Sequence, residues 1–86
     1  MKKIIKILGV GSMRDHELME SVEIAAREMD LPIDIQLISD IDAFLRLGIS
    51  AIPAMMIEDK VVANGRIPGV LKIKDMLEEQ PMATRP

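Results

Sequence analysis

The 86-residue sequence contains no cysteine. This absence excludes disulfide bonds, thiolate metal sites and any thiol nucleophile. Aromatic residues are nearly absent as well, because there is no tryptophan or tyrosine and Phe44 is the one phenylalanine. Nucleic-acid-binding surfaces are typically basic and often stack bases on aromatic rings. A net charge of −3 with a single aromatic side chain therefore predicts no nucleic-acid partner.

Long hydrophobic runs are also absent. A membrane-spanning helix needs about 20 consecutive apolar residues, and no stretch of this sequence approaches that length. The opening residues, MKKIIKILGVGS, have too short an apolar stretch for a signal peptide. We therefore predict a cytoplasmic protein without a membrane partner.

Apolar residues make up 49% of the sequence, which is enough for one small folded domain. Residues 3–8 are rich in isoleucine and end at a glycine, which is typical of a buried strand. Residues 13–30 have apolar side chains at spacings of three and four, which predicts an amphipathic helix. Residues 33–38 alternate apolar and polar after Pro32, which predicts a half-buried second strand.

The second half predicts a short helix, a hairpin and a closing helix. Ser39 and Asp42 have the spacing of a capping box, and Gly48 suits the end of the short helix. Three apolar side chains can share one face of this helix: Ile41, Phe44 and Leu45. Residues 54–64 hold two apolar runs around a polar connection, which predicts an antiparallel hairpin in which Met55 and Met56 face opposite sides. Val70, Ile73, Met76 and Leu77 then predict the last helix.

The predicted order is therefore β-α-β-α-β-β-α, an α/β fold with helices on both faces of a four-stranded mixed sheet. We expect one domain over residues 1–79 and a flexible tail over residues 80–86.

Three segments occur in an informative order: GVGSMRD at 9–15, IPAMMIEDKVV at 52–62 and GRIP at 65–68. Together they resemble the small thioredoxin-like proteins, also called small redox-active disulfide proteins, which are close in architecture to glutaredoxins. In members of this family a strand is followed by the motif G-x-G-C-x-x-C and a helix. Later come the motif T-P-A-x-x-I-D-G-K-V-V, the motif G-R-x-P and a last helix. The resemblance extends to about residue 79 and implies a thioredoxin-like fold related to thiol-disulfide oxidoreductases.

The sequence departs from the family pattern at the two cysteine positions. Ser12 and Asp15 occupy the positions of the two family cysteines. Because serine has neither the acidity nor the two-electron redox couple of a thiol, dithiol exchange cannot occur and we predict no catalytic residues. S-x-x-D is also capping-box spacing, so we expect the Ser12 oxygen to accept from the N–H of residue 15 and the Asp15 carboxylate to accept from the N–H of residue 12.

Other interpretations of this turn are weaker. Asp15 and His16 point about 100° apart on a helix, which disfavours a Ser-His-Asp triad with Ser12. His16 and Glu20 supply only two metal ligands, so a surface ion pair is favoured over a metal site. Gly9-Val10-Gly11 opens like a dinucleotide loop, but Arg14 stands where the third glycine belongs. Anion binding at the helix start is disfavoured because Asp15 competes for it. We predict no metal and no cofactor.

The resemblance also implies a binding surface. Ile52-Pro53 aligns with the family's cis-proline turn, which faces the C-x-x-C and leaves the backbone before the proline free to pair with an extended peptide or glutathione. Met13, Ile52 and Pro53 would then cluster at one exposed end of the sheet. The predicted binding residues are Ser12, Met13, Arg14, Ile52 and Pro53.

Two hypotheses about function follow. The first is a redox-inactive module, not an enzyme, that binds a peptide, a protein partner or a second copy of itself. The second is binding of a small thiol such as glutathione, with transferase-type activity in which the Ser12 hydroxyl stabilises the thiolate. The short chain has no room for the helical second domain of glutathione transferases, and Asn64-Gly65-Arg66 replaces their acidic-Ser motif, so the first hypothesis is favoured.

Overall fold

The computed structural model describes residues 2–79, and the predicted flexible tail over 80–86 lies outside the described residues. Within this range the elements follow the predicted order β-α-β-α-β-β-α. Their bounds are β1 Lys3–Leu8, α1 Met13–Glu28, β2 Ile33–Ile38, α2 Ile41–Arg46, β3 Ala54–Ile57, β4 Lys60–Asn64 and α3 Val70–Glu79. None of the helices in this part of the chain is both long enough and apolar enough to cross a membrane.

The first helix ends slightly earlier than its apolar periodicity predicts. α1 stops at Glu28, and Met29 is its C-cap. Asp30 takes a left-handed backbone with φ of 55°, and the N–H of Leu31 donates to the carbonyl of Ala26 at 2.9 Å. This closing geometry satisfies carbonyls at the helix end and turns the chain toward β2.

The four strands form one mixed sheet in the order β2-β1-β3-β4. β1 and β2 are parallel, with Ile5 opposite Ile35. β3 runs antiparallel to both β1 and β4, and the hairpin turn consists of Glu58 and Asp59 between Ile57 and Lys60. The prediction of a mixed sheet is confirmed.

Helices cover both faces of this sheet. The larger cluster joins α1 and α3 to one face, and it includes Ile5, Ile7, Leu18, Val22, Met55, Ile57, Ile73 and Leu77. The smaller cluster joins α2 to the other face through Leu8, Phe44, Ala54 and Met56. Met55 and Met56 are both buried, one in each cluster, so the prediction that they face opposite sides is confirmed.

The prediction for the start and inner face of α2 is wrong. Asp40, not Ser39, is the N-cap residue, and its side chain accepts from the N–H of Asp42 at 3.0 Å. Phe44 is buried with its neighbour Ala43, whereas two side chains assigned to the same face are exposed: Ile41 at 64% and Leu45 at 73%. The helix has only six residues, so fewer than two turns are available to define an apolar stripe. Gly48 follows the helix with φ of 70°, as expected.

Candidate functional site

The two segments predicted to form the site lie at the same end of the sheet. Leu8, the last residue of β1, is paired with Ala54, the first residue of β3. The turn over residues 9–12 therefore begins beside the point where Ile52 and Pro53 enter the sheet. On the other side of β1, the N–H of Gly9 donates to the carbonyl of Ile38 at 3.0 Å, which fixes the start of the turn against the end of β2.

The predicted capping box at the start of α1 is confirmed. Ser12 is the N-cap residue, and its hydroxyl oxygen accepts from the N–H of Asp15 at 3.3 Å. Oδ2 of Asp15 accepts in return from the N–H of Ser12 at 2.9 Å. It also accepts from the N–H of Gly11 at 2.6 Å, which places a negative charge where the helix macrodipole favours one.

Asp15 is fully buried, which its capping role alone does not predict. Its second oxygen, Oδ1, is also buried and has no hydrogen-bond partner within the described residues. Gly9 makes room for this side chain, because a Cβ there would overlap the carboxylate. A Cβ added at Gly11 would meet no neighbouring atom, but the backbone φ there is 82°, a conformation that glycine adopts more easily than other residues. No local sequence pattern predicts this burial, which depends on the missing Cβ of Gly9.

The predicted binding residues differ in exposure. Ser12, Met13 and Arg14 are exposed, and the Met13 side chain is 86% accessible. Ile52 is half-buried and packs against the smaller core cluster. Pro53 is buried, with less than 2% of its surface accessible. The expectation that Pro53 forms part of an exposed patch is therefore wrong, because its ring is packed into the fold.

The backbone around Ile52 is anchored on both sides. The Ile52-Pro53 peptide bond is cis. Ala51 donates its N–H to Oδ1 of Asn64 at 3.2 Å, and the carbonyl of Pro53 accepts from the N–H of Gly65 at 2.9 Å. Among residues 2–79, the N–H and carbonyl of Ile52 itself take part in no hydrogen bond.

Sequence reasoning did not identify Val10 as part of this end of the sheet. Its side chain is 63% exposed in the turn that also carries the exposed Met13. Isolated exposed apolar residues are common on protein surfaces, so the sequence carried no signal for Val10. In this turn Val10 and Met13 are three positions apart, on either side of the helix N-cap Ser12.

The geometry gives Ser12 no activating partner. Its hydroxyl oxygen accepts the N–H of Asp15, and no side chain within residues 2–78 accepts its proton. The Asp15 carboxylate is turned toward Gly11 and Ser12 backbone groups and not toward His16. A serine nucleophile requires an adjacent base, so the arrangement found here stabilises a helix start.

The expected ion pair between His16 and Glu20 is not formed. Over residues 2–78 the ion pair present is Lys74–Glu28, at 2.6 Å. No group of three or more histidine, aspartate or glutamate side chains in the described part of the chain is arranged to hold a metal ion.

Comparison with known proteins agrees with this architecture. Residues 3–78 match the family model described as Thioredoxin domain. The chain is also similar to a thioredoxin from Methanocaldococcus jannaschii, with 27% identity over 75 residues, which cover 87% of this chain and 86% of that protein.

Proposed function

Because this chain belongs to the thioredoxin-domain family, we propose that it is a redox-inactive member that binds an extended peptide or protein segment. The binding surface is the end of the sheet formed by Ser12, Met13, Arg14 and Ile52, with Pro53 beneath it as a packed support. The absence of cysteine removes the dithiol couple and leaves recognition as the function of this surface.

The observation that carries the proposal is the unpaired backbone of Ile52. Its N–H and carbonyl have no hydrogen-bond partner within residues 2–79, whereas the residues on either side of it are tied to Asn64 and Gly65. A fixed, unpaired donor and acceptor on one residue can form a short ladder with an extended chain. Anchored neighbours lower the ordering cost of binding.

Apolar side chains beside this backbone add contact area. Met13 and Val10 are largely exposed, and Ile52 retains part of its surface. Methionine is flexible and polarizable, so it can adapt to different partner side chains. An extended segment hydrogen-bonded to Ile52 would place its own apolar side chains against this group.

The experiment is a titration followed by amide chemical shifts. The probe is a blocked pentapeptide of alternating alanine and valine, which is uncharged and favours extended structure. We expect saturable shifts at Ser12, Met13 and Ile52. Met13→Lys should weaken binding, whereas the matched control Leu71→Lys should not, because Leu71 is also exposed (76%) but lies on α3.

Other outcomes separate the alternatives. Concentration-dependent shifts at the same residues without peptide would identify a second copy as the partner of this surface. Saturable binding of glutathione with turnover of an electrophile, lost in Ser12→Ala, would replace the proposal with the thiol-binding hypothesis. Insulin reduction above a buffer control would contradict redox inactivity, and peptide shifts confined to other parts of the chain would contradict the location.

A further inference from the structure

A second surface with different chemistry lies along β4, an edge strand of the sheet. A groove of about 720 Å³ runs between β4 and the first turns of α3. Its apolar lining includes Val62, Ile67 and Met76, and its charged lining consists of Arg66 and Lys72. We propose that this β4–α3 groove binds an extended acidic segment of a partner protein, which adds a fifth strand to the sheet along β4.

The backbone of β4 supplies the first part of the argument. β4 is an edge strand, and within the described residues its one neighbour is β3. The middle residues, Val61 to Ala63, are half-buried, and within the described residues their backbone groups form no hydrogen bond outside the pairing with β3. That pairing has a register irregularity opposite Met55 and Met56. Edge strands present alternate N–H and carbonyl groups that another chain can pair with, and addition of an extended peptide is a recurrent mode of recognition.

The charges supply the second part. The protein carries a net charge of −3, yet the lining of the β4–α3 groove contains two cations and no aspartate or glutamate. Arg66 and Lys72 are exposed and form no ion pair with any side chain of residues 2–78. A local pair of cations on an acidic protein attracts carboxylates and repels basic segments.

The lining of the groove indicates how the side chains of a bound segment would be placed. Side chains of an extended peptide alternate between the two faces of the strand. The set that faces α3 meets both kinds of lining, because Val62, Ile67 and Met76 give apolar contact and Lys72 lies one helical turn before Met76. β4 has five residues, so a segment of about five residues, roughly 17 Å long, matches its length. The expected ligand contains both apolar and acidic residues, and an alternating glutamate–valine peptide can present its acidic side chains to the α3 side.

A second copy of this chain is the alternative occupant of this edge, and the dependence of the shifts on protein concentration distinguishes it from an acidic partner segment.

The test is a titration of the whole chain with a blocked pentapeptide of alternating glutamate and valine, followed by amide shifts. We expect saturable shifts over Val61 to Asn64 and at Ile67. The double variant Arg66→Gln/Lys72→Gln should bind about 3- to 30-fold more weakly, since each rim pair contributes little by itself. The matched control Lys2→Gln/Arg46→Gln removes the same charge elsewhere and should change binding less than about twofold.

Modified probes test each element of the proposal. A lysine–valine peptide should not bind, and the glutamate–valine peptide with alternate backbone nitrogens methylated should bind at least about tenfold more weakly. Equal binding of the methylated peptide, or of free glutamate, would overturn strand addition. Shifts at β4 that depend on protein concentration alone would identify a second copy instead and overturn the proposal.

This inference is independent of the proposed function. Shifts at Ser12 and Met13 report on the end of the sheet, and shifts at Val61, Val62 and Ile67 report on its edge. Asn64 and Gly65 adjoin both surfaces, because they hydrogen-bond to Ala51 and Pro53, so their shifts do not separate the two proposals.

Discussion

Replacing Asp15 with alanine tests whether the buried carboxylate holds the start of α1. The variant removes acceptors for the N–H groups of Gly11 and Ser12, which lie 2.6 and 2.9 Å from Oδ2. Hydrogen bonds to a charged acceptor contribute about 1.5–3 kcal/mol each. Removing the buried Oδ1, which has no partner in the described residues, recovers about 1–3 kcal/mol of desolvation cost. We expect a net loss of about 2 kcal/mol, within the range for helix caps.

The matched control is Ser12→Ala at the other half of the capping box. It removes one longer hydrogen bond, 3.3 Å, from an exposed hydroxyl, so we expect a loss of about 0.5–1 kcal/mol. For a domain of this size, 1 kcal/mol shifts Tm by about 4–8 °C. Asp15→Ala should therefore lower Tm by roughly 8–16 °C and Ser12→Ala by about half of that or less.

Far-UV circular dichroism is the assay for both variants, because the chain has no tryptophan or tyrosine to report by fluorescence. Urea unfolding gives the free energies, and an unchanged m-value shows that the native state remains compact. Amide hydrogen exchange at Gly11 and Ser12 should accelerate only in Asp15→Ala. A loss in Ser12→Ala equal to that in Asp15→Ala, or a more stable Asp15→Ala, would refute the assignment of the cap to the carboxylate.

Three further outcomes follow from the packing. Gly9→Ala places a Cβ against the Asp15 carboxylate, and overpacking of this kind should lower the free energy of unfolding by about 1–3 kcal/mol in the same urea experiment. Phe44→Ala should lower the free energy of unfolding by about 3 kcal/mol, because the ring is only 8% exposed. Leu45→Ala should change it by less than about 0.5 kcal/mol, because Leu45 is 73% exposed. Equal losses would contradict the observed inner face of α2. Ser12→Cys combined with Asp15→Cys should create a dithiol that closes on oxidation, seen as loss of two titratable thiols. Two free thiols after oxidation would contradict the alignment of Ser12 and Asp15 with the family's two cysteine positions.

Strand and helix order could be predicted because local signals agree with the fold. Isoleucine-rich residues 3–8 stop at a glycine, and residues 33–38 start after a proline, so both strands have the predicted bounds. Met55 and Met56 lie on opposite faces because neighbouring strand residues always do. These features depend on chain geometry and not on distant contacts.

The features that could not be predicted depend on tertiary packing. Ser39 and Asp40 are both suitable N-cap residues, and the structure has Asp40 as the cap with Phe44 packed on the sheet. Pro53 reads as an exposed turn residue, yet its ring is buried. The burial of Asp15 depends on the missing Cβ of Gly9, six positions earlier. In each case the deciding contact lies outside the local pattern.

The buried carboxylate also determines what chemistry the end of the sheet can recognise. Free N–H groups at the start of a helix favour an anion. In this chain Oδ2 of Asp15 already occupies the N–H groups of Gly11 and Ser12, and its charge offsets the positive end of the helix dipole. An anionic ligand would have to displace a fully buried side chain. In the proposed function, an acidic group of the bound peptide therefore cannot use these N–H groups, so we expect binding beside Ile52 to depend on backbone pairing and apolar contact, with Arg14 as the exposed cation of that surface. Acidic segments are expected at Arg66 and Lys72, so an uncharged probe tests one proposal and an acidic probe tests the other.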